Sequence, residues 1–177
     1  MIESNFLADN EKILRSLKRI PVFDPFGAKE LRRLLKRSKL HKYAPGETII
    51  REGRKGSWVY FLVYGEVSIA RQGRVVTTTD RQGELIGEMG AIDGARRSAT
   101  VVAQKETVCI ATDTKQIRRL TGYDRMAYSY ILYRVFAEAL AERLRETTRE
   151  LVETRERFSL TRLRPQRLIL GLRRLMG

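Results

Sequence analysis

Apolar residues recur at helical spacing near the N-terminus. In "DNEKILRSLKRI", residues 9–20, Ile13, Leu17 and Ile20 share one face, Asp9 stands where a cap would, and Pro21 closes the segment. "DPFGAKELRRLLKRS" predicts a second short helix, with Leu31, Leu34 and Leu35 on its apolar side. The pattern then changes. "ETIIREG", "SWVYFLVYGEVSIAR", "RVVTTTD", "SATVVAQ" and "ETVCIATD" are short, β-branched and separated by Gly, Asp or Gln. Strands at this spacing predict an antiparallel sandwich or barrel. Pro45-Gly46, Gly53, Gly56, Gly65 and Gly73 are read as its turn or bulge positions.

After Gly122 the chain reads as helix for about ten turns. Tyr133, Ala137, Leu140, Leu144, Thr147, Leu151, Thr154 and Phe158 alternate spacings of four and three. That is a heptad seam, expected where a helix pairs with a second copy of itself. The seam threonines set register or meet something polar. Pro165 is expected to end or kink the helix, and "RLILGLRRLMG" to add a short basic amphipathic helix. The fold class is therefore α+β: N-terminal helices, an antiparallel β-roll (a double-stranded jelly-roll barrel) and a long C-terminal helix. The boundaries fall at residues 1–20 for the N-terminal helix, 21–122 for the β-roll, 123–160 for the long dimerisation or lid helix and 161–177 for a basic tail.

Composition narrows the choice of partner. The 177 residues carry a net charge of +14, which favours anionic partners without choosing among them. The cations cluster between Lys12 and Lys42 and again beyond Arg157, where no acid remains. No stretch is long and apolar enough to span a membrane, and "MIESNFLADNEK" has no signal-peptide pattern. Cys109, the lone cysteine, sits in the apolar run "TVCIAT" as a buried strand residue and suits a reducing cytoplasm. His41 is the only histidine and is read as structural or exposed, in a connection between helix and strand. No His/Cys/Asp cluster offers a metal site. Glu88 and Arg97 make a poor acid–base pair, because an arginine pushes a carboxyl pKa down. The chain is therefore read as a non-enzyme.

The candidate chemistry lies in "GELIGEMGAIDGARRSATVVA", Gly83 to Ala103. Gly87 and Gly90 let the backbone turn tightly and present N–H groups to an anion. A helical turn through "EMGAI" points further amides the same way. Arg97 offers two parallel donors to a phosphate, and Ser98 adds a hydroxyl. Glu88 would repel phosphate, but an ionised carboxylate accepts a strong hydrogen bond from a hydroxyl. The pattern assigns the arginine to a phosphate and the glutamate to a sugar.

These residues resemble the phosphate-binding cassette of the catabolite-activator/protein-kinase-A regulatory-subunit superfamily of cyclic nucleotide-binding domains. The cassette stands here as Gly87-Glu88-Met89-Gly90 and Arg97-Ser98-Ala99-Thr100-Val101. "IPVFDPFGAKELRRLL", "APGETIIREG", "VYFLVYGEVSI" and Gly83-Glu84 match the order of segments around it, over residues 16 to 120. The resemblance implies that Glu88 binds the ribose 2′-hydroxyl and that Arg97 holds the exocyclic phosphate oxygens. It implies that Ser98 and the Ala99 N–H complete the phosphate cradle, that Gly87 permits close backbone approach, and that Met89 belongs to the ligand-binding cassette. Glu84 matches a loop position and is expected to be solvated. Ala95 stands where many relatives have proline, which is expected to loosen the loop.

"LAERLRETTREL" resembles the dimerisation helix of the bacterial activator branch. There a pair of hydroxyl residues contacts the purine, one from each subunit, and Thr147 and Thr148 take that place here. The resemblance implies a cytoplasmic, stand-alone cyclic nucleotide sensor. Its ligand is cAMP, with cGMP as the alternative, and it forms a homodimer through residues 123–160 and acts on a protein partner. The residues after Phe158 leave no room for a helix-turn-helix, so sequence-specific DNA binding is not expected. Two other readings stand beside it: a protein-interaction adaptor of the same fold that no longer depends on nucleotide, and a basic binder of nucleic acid or membrane surfaces.

Overall fold

The run Trp58–Tyr64 is apolar at nearly every position, which a strand tolerates only when both its faces are covered. The computed structural model shows what covers them. It describes residues 2–4 and 11–175, with residues 3, 4, 12, 16, 22 and 160–175 described by backbone alone. The elements run β1 (Ile2–Ser4), α1 (Glu11–Leu17), a 3-10 turn (Pro21–Phe23), α2 (Ala28–Lys36), β2 (Ser38–Tyr43), β3 (Thr48–Ile50), β4 (Trp58–Tyr64), β5 (Val67–Arg71), β6 (Arg74–Thr79), β7 (Leu85–Ile86), α3 (Glu88–Ile92), β8 (Thr100–Ala103), β9 (Thr107–Asp113), α4 (Thr114–Arg118) and α5 (Gly122–Leu175). Asp9, the expected cap, lies outside the described residues.

Two antiparallel sheets form the β-roll. One has the order β1-β2-β9-β4-β7 and the other β3-β8-β5-β6. The first sheet separates two cores, and strand alternation assigns its residues between them. Val59, Phe61, Leu85 and Ile110 face a core shared with Leu31, Leu34 and Leu35 of α2 and with Ile131, Leu132, Val135 and Phe136 of α5. Tyr60, Leu62, Ile86, Cys109 and Ala111 face the roll interior with Ile50, Val67 and Val101 of the second sheet. The expected buried position of Cys109 is met, with no exposed area.

The structure corrects several local readings. Residues 38–43 form a strand, β2, paired along its length with β9, where a connection was expected. Its basic side chains point out while Ser38, His41 and Tyr43 are buried, and that alternation is hidden by Lys39 and Lys42. His41 is structural: its Nδ1 lies 3.2 Å from the Tyr43 hydroxyl. Glu84 is buried, not solvated, because the Arg81 guanidinium bonds its carboxylate at 2.9 Å. The helical backbone of α5 runs through Pro165 to Leu175. The proline thus does not end the helix: it removes one backbone hydrogen bond and crowds the carbonyl four residues earlier, while the surrounding leucines and arginines are good helix formers. Met176 and Gly177, at the end of the expected tail, lie outside the described residues.

The chain divides into two units, Met1–Ala139 and Leu140–Gly177. The first four to five turns of α5 therefore belong with the roll: Tyr128, Ile131, Leu132, Val135 and Phe136 are buried at i, i+3, i+4 spacing. In the second unit Leu144, Leu151 and Phe158 are exposed by 68%, 51% and 70%. Among the described residues no helix is long and apolar enough to cross a membrane.

Candidate functional site

The segment from Gly87 to Ala99 leaves β7, at the edge of one sheet, and enters β8, inside the other. It must therefore cross the open end of the roll. Gly87 starts the crossing with φ +86°, and a Cβ there would stand 2.6 Å from Nη1 of Arg97 and 2.9 Å from Cδ1 of Ile50. Only glycine meets both conditions. Helix α3 follows directly, as the sequence predicts, and brings Glu88 inward with 3% of its surface exposed.

Beyond α3 the chain turns at Asp93 and Gly94. The Asp93 carboxylate accepts a 2.8 Å hydrogen bond from the Ala95 N–H. A proline at 95 would have no N–H to give, so this aspartate holds the loop that the proline-to-alanine departure was expected to loosen. Gly90 sits inside the helix, not in a turn. Its missing Cβ leaves room for the Ala95 carbonyl, which would lie 3.0 Å away.

Arg97 is 7% exposed, and two of its guanidinium donors are engaged by backbone carbonyls. Nη1 donates to the Gly87 carbonyl at 2.5 Å and Nη2 to the Trp58 carbonyl at 2.6 Å. The guanidinium thus ties the start of the cassette to the start of β4. Its backbone is tied as well. Gly53 N donates to Arg97 O and Arg97 N to Arg54 O, both at 2.9 Å, and Arg96 Nη1 donates to Gly53 O at 2.9 Å. Burial lowers the basicity of Arg97, while Tyr60 and Glu88 nearby act in the opposite direction. A guanidinium has five N–H donors, so donors remain for a ligand after these two carbonyls are served.

Two residues of this arrangement escaped the sequence reading. Gly56 is read there as a turn glycine, but its φ is ordinary; a Cβ on it would lie 2.9 Å from Nη2 of Arg97. Its role is to let the 53–57 loop close over the guanidinium. Tyr60 points into the roll interior beside Arg97. Burial raises its pKa, and a hydrogen bond from Tyr43 opposes that shift. No motif marks Tyr60, because in the sequence it is one more apolar residue of a buried strand.

The other expected site residues divide into two sets. Ser98 and Met89 stand together at the surface, with the Ser98 hydroxyl 3.9 Å from the Met89 sulfur. Ala99 is half-buried. Thr147 and Thr148 are exposed residues of the second unit. Helix α4 also reaches the cassette: Arg118 Nη2 donates to the Ala91 carbonyl in α3 at 2.6 Å. Among the described residues no group of His, Cys, Asp and Glu is arranged to hold a metal ion.

Comparison with known proteins bears on the family and the fold. Residues 40–124 match the family model described as the cyclic nucleotide-binding domain. The chain is 27% identical over 142 residues to a cGMP-dependent protein kinase of Eimeria tenella, covering 80% of this chain and 13% of that protein. It is 29% identical over 109 residues to a cAMP-dependent protein kinase regulatory subunit of Mycosarcoma maydis, covering 60% and 20%. The chain spans less than a third of the length of these relatives. A crystal structure of a cyclic nucleotide-binding domain from Methylobacillus flagellatus KT superposes with a TM-score of 0.65 at 25% identity, over 77% of this chain and 78% of that one.

Proposed function

We propose, from the premise that this chain carries a domain of the cyclic nucleotide-binding family across residues 40–124, that it is a sensor of a cyclic nucleotide, with cAMP favoured over cGMP. In this reading Arg97 holds the exocyclic oxygens of the cyclic phosphate. Ser98 and the Ala99 N–H complete that cradle, Glu88 accepts a hydrogen bond from the ribose 2′-hydroxyl, and Gly87 and Met89 frame the cassette. Thr147 and Thr148 are assigned to the purine, on the resemblance to the activator branch and the seam position of Thr147.

One observation supports the reading above others: a buried carboxylate and a buried guanidinium share one cassette, at Glu88 and Arg97. Burying two charges costs several kcal/mol per ion unless each is well partnered. Arg97 keeps donors in hand beyond its two carbonyls, and a phosphodiester would use them. The reading takes the protein as a regulator without catalysis. It acts in the cytoplasm, as a homodimer through the exposed seam of α5, and on a protein partner.

Calorimetry with cAMP and cGMP tests it. Wild-type protein is expected to bind at micromolar concentration. Arg97→Glu would leave the Gly87 and Trp58 carbonyls facing a carboxylate, so Arg97→Lys is the better probe: it keeps the charge and removes the fork. Loss of one charge-assisted bond, about 1.5–3 kcal/mol, weakens binding about ten- to a hundredfold. Glu88→Gln should weaken ribonucleotides and leave 2′-deoxy-cAMP unchanged. Absence of binding by wild-type protein at high micromolar nucleotide would overturn the reading in favour of a nucleotide-independent adaptor.

A further inference from the structure

The loop that closes over Arg97 is basic. Residues 51–57 read "REGRKGS", and Arg51, Arg54 and Lys55 are exposed, as is Arg96. The loop is fixed in place, since the Gly53 and Arg54 backbone groups pair with Arg97 and the Arg96 side chain bonds the Gly53 carbonyl. Gly56, next to Lys55, lies against the guanidinium itself. The two carboxylates nearby accept backbone N–H groups and form no ion pair with these cations. Glu52 accepts from the Gln72 N–H at 2.8 Å, and Asp93 from Ala95. Among the described residues no ion pair engages Arg51, Arg54, Lys55 or Arg96. Arg97 and Glu88 account for one phosphate and one ribose hydroxyl. Four further cations stand at the rim of the same crossing against the two carboxylates of Glu52 and Asp93, and the remaining positive charge exceeds what a phosphodiester already held by Arg97 neutralises.

We propose that Arg54 and Lys55, supported by Arg51 and Arg96, hold a second phosphate of the ligand, so that the site takes a ribonucleotide with a free 2′-hydroxyl and two phosphodiesters, the chemistry of a cyclic dinucleotide. The inference rests on the reading of Arg97 and Glu88 given above. Like charges held on one short loop repel each other, and a second anionic group relieves that repulsion. A ligand with a single phosphate leaves the rim to solvent. The rim specifies phosphate count, and the base is read elsewhere.

Calorimetry at fixed ionic strength with cAMP, cyclic di-AMP and cyclic di-GMP tests this on the full chain. A cyclic dinucleotide is expected to bind wild-type protein at least about tenfold more tightly than cAMP, the gain of roughly one screened charge contact. The double variant Arg54→Ala/Lys55→Ala, at exposed positions with ordinary side chains, should bring the affinities together. Melting of the variant confirms that it folds. Equal wild-type affinities, or a margin that survives the double substitution, overturn the inference while cAMP binding leaves the sensor reading intact. The same fall in association rate for all three ligands would mean that the rim only steers anions, and this also overturns it. So would tighter binding of a single-stranded oligodeoxynucleotide, which has no 2′-hydroxyl. Failure of every nucleotide removes both readings, whereas binding of the dinucleotide alone supports this one.

Discussion

A glycine can matter for the space it leaves or for the φ it adopts, and the loop over Arg97 contains one of each. Gly53 has φ +75° with nothing within 4 Å of a Cβ, whereas Gly56 has an ordinary φ and a guanidinium 2.9 Å from a Cβ. Gly53→Ala should therefore cost about 1–2 kcal/mol in stability through backbone strain and leave the bound state unaltered. Gly56→Ala should cost about 1–3 kcal/mol through overpacking and also weaken nucleotide binding, because Arg97 must shift. Thermal melting and calorimetry on the two variants separate the effects; equal affinities would show that Arg97 moves freely. The motif Gly-Glu-Met-Gly and the Arg-Ser-Ala run were legible in the sequence because their chemistry is local. The carbonyls of Gly87 and Trp58 and the small size of Gly56 were not. Backbone acceptors carry no residue label, and contacts across tens of residues leave no spacing to read.

Among the elements, α4 and α5 give the clearest expectations. Arg118 joins α4 to the cassette through a single bond to the Ala91 carbonyl. Arg118→Ala removes it, at about 1 kcal/mol, and should speed hydrogen exchange of the Thr114–Arg118 amides; unchanged exchange would show that buried Ile117 and the Thr114 bonds to the Ser57 carbonyl suffice to hold α4. On α5 two faces are distinct. The buried face of Tyr128, Ile131, Leu132, Val135 and Phe136 belongs to the first unit. The heptad seam, by contrast, carries Tyr133, Leu144, Leu151 and Phe158 exposed. If the proposed homodimer forms through this seam, Leu144→Glu with Leu151→Glu should convert it to a monomer in sedimentation and leave the melting of the first unit unchanged. An unaltered mass would remove the seam as the interface. The long helix was readable because helical apolar spacing persists along it. Strand β2 was not, because its lysines resemble the basic helix before it, and its burial depends on pairing with β9, some seventy residues away.

At the scale of the whole molecule, burial sets the response to pH. The Cys109 thiol is pushed up from 9.0 to about 12 by desolvation. Burial likewise raises Tyr43, Tyr60 and Tyr128. Each stays protonated in the fold at pH values where the unfolded chain releases its proton. The stability they support is complete below pH 9 and falls as pH rises towards 12. Urea midpoints should decline across that window, and Cys109 should resist alkylation at pH 8 until the chain unfolds. A midpoint flat to pH 11, or rapid labelling of native protein, would contradict the burial. The alternation of a two-sheet roll was visible at this scale, since Gly, Pro and Asp punctuate it. The division into two cores was not, because a run such as "WVYFLVY" does not say which side each residue faces.

That division bears on how occupancy could be felt at a distance. Trp58, whose carbonyl receives Nη2 of Arg97, is the first residue of β4, and the next residues alternate between the roll interior and the helical core. A strand buried on both sides has no solvent face to absorb a displacement. A displacement of its leading peptide would bear on the leucines of α2 and the first turns of α5, which pack against the same strand.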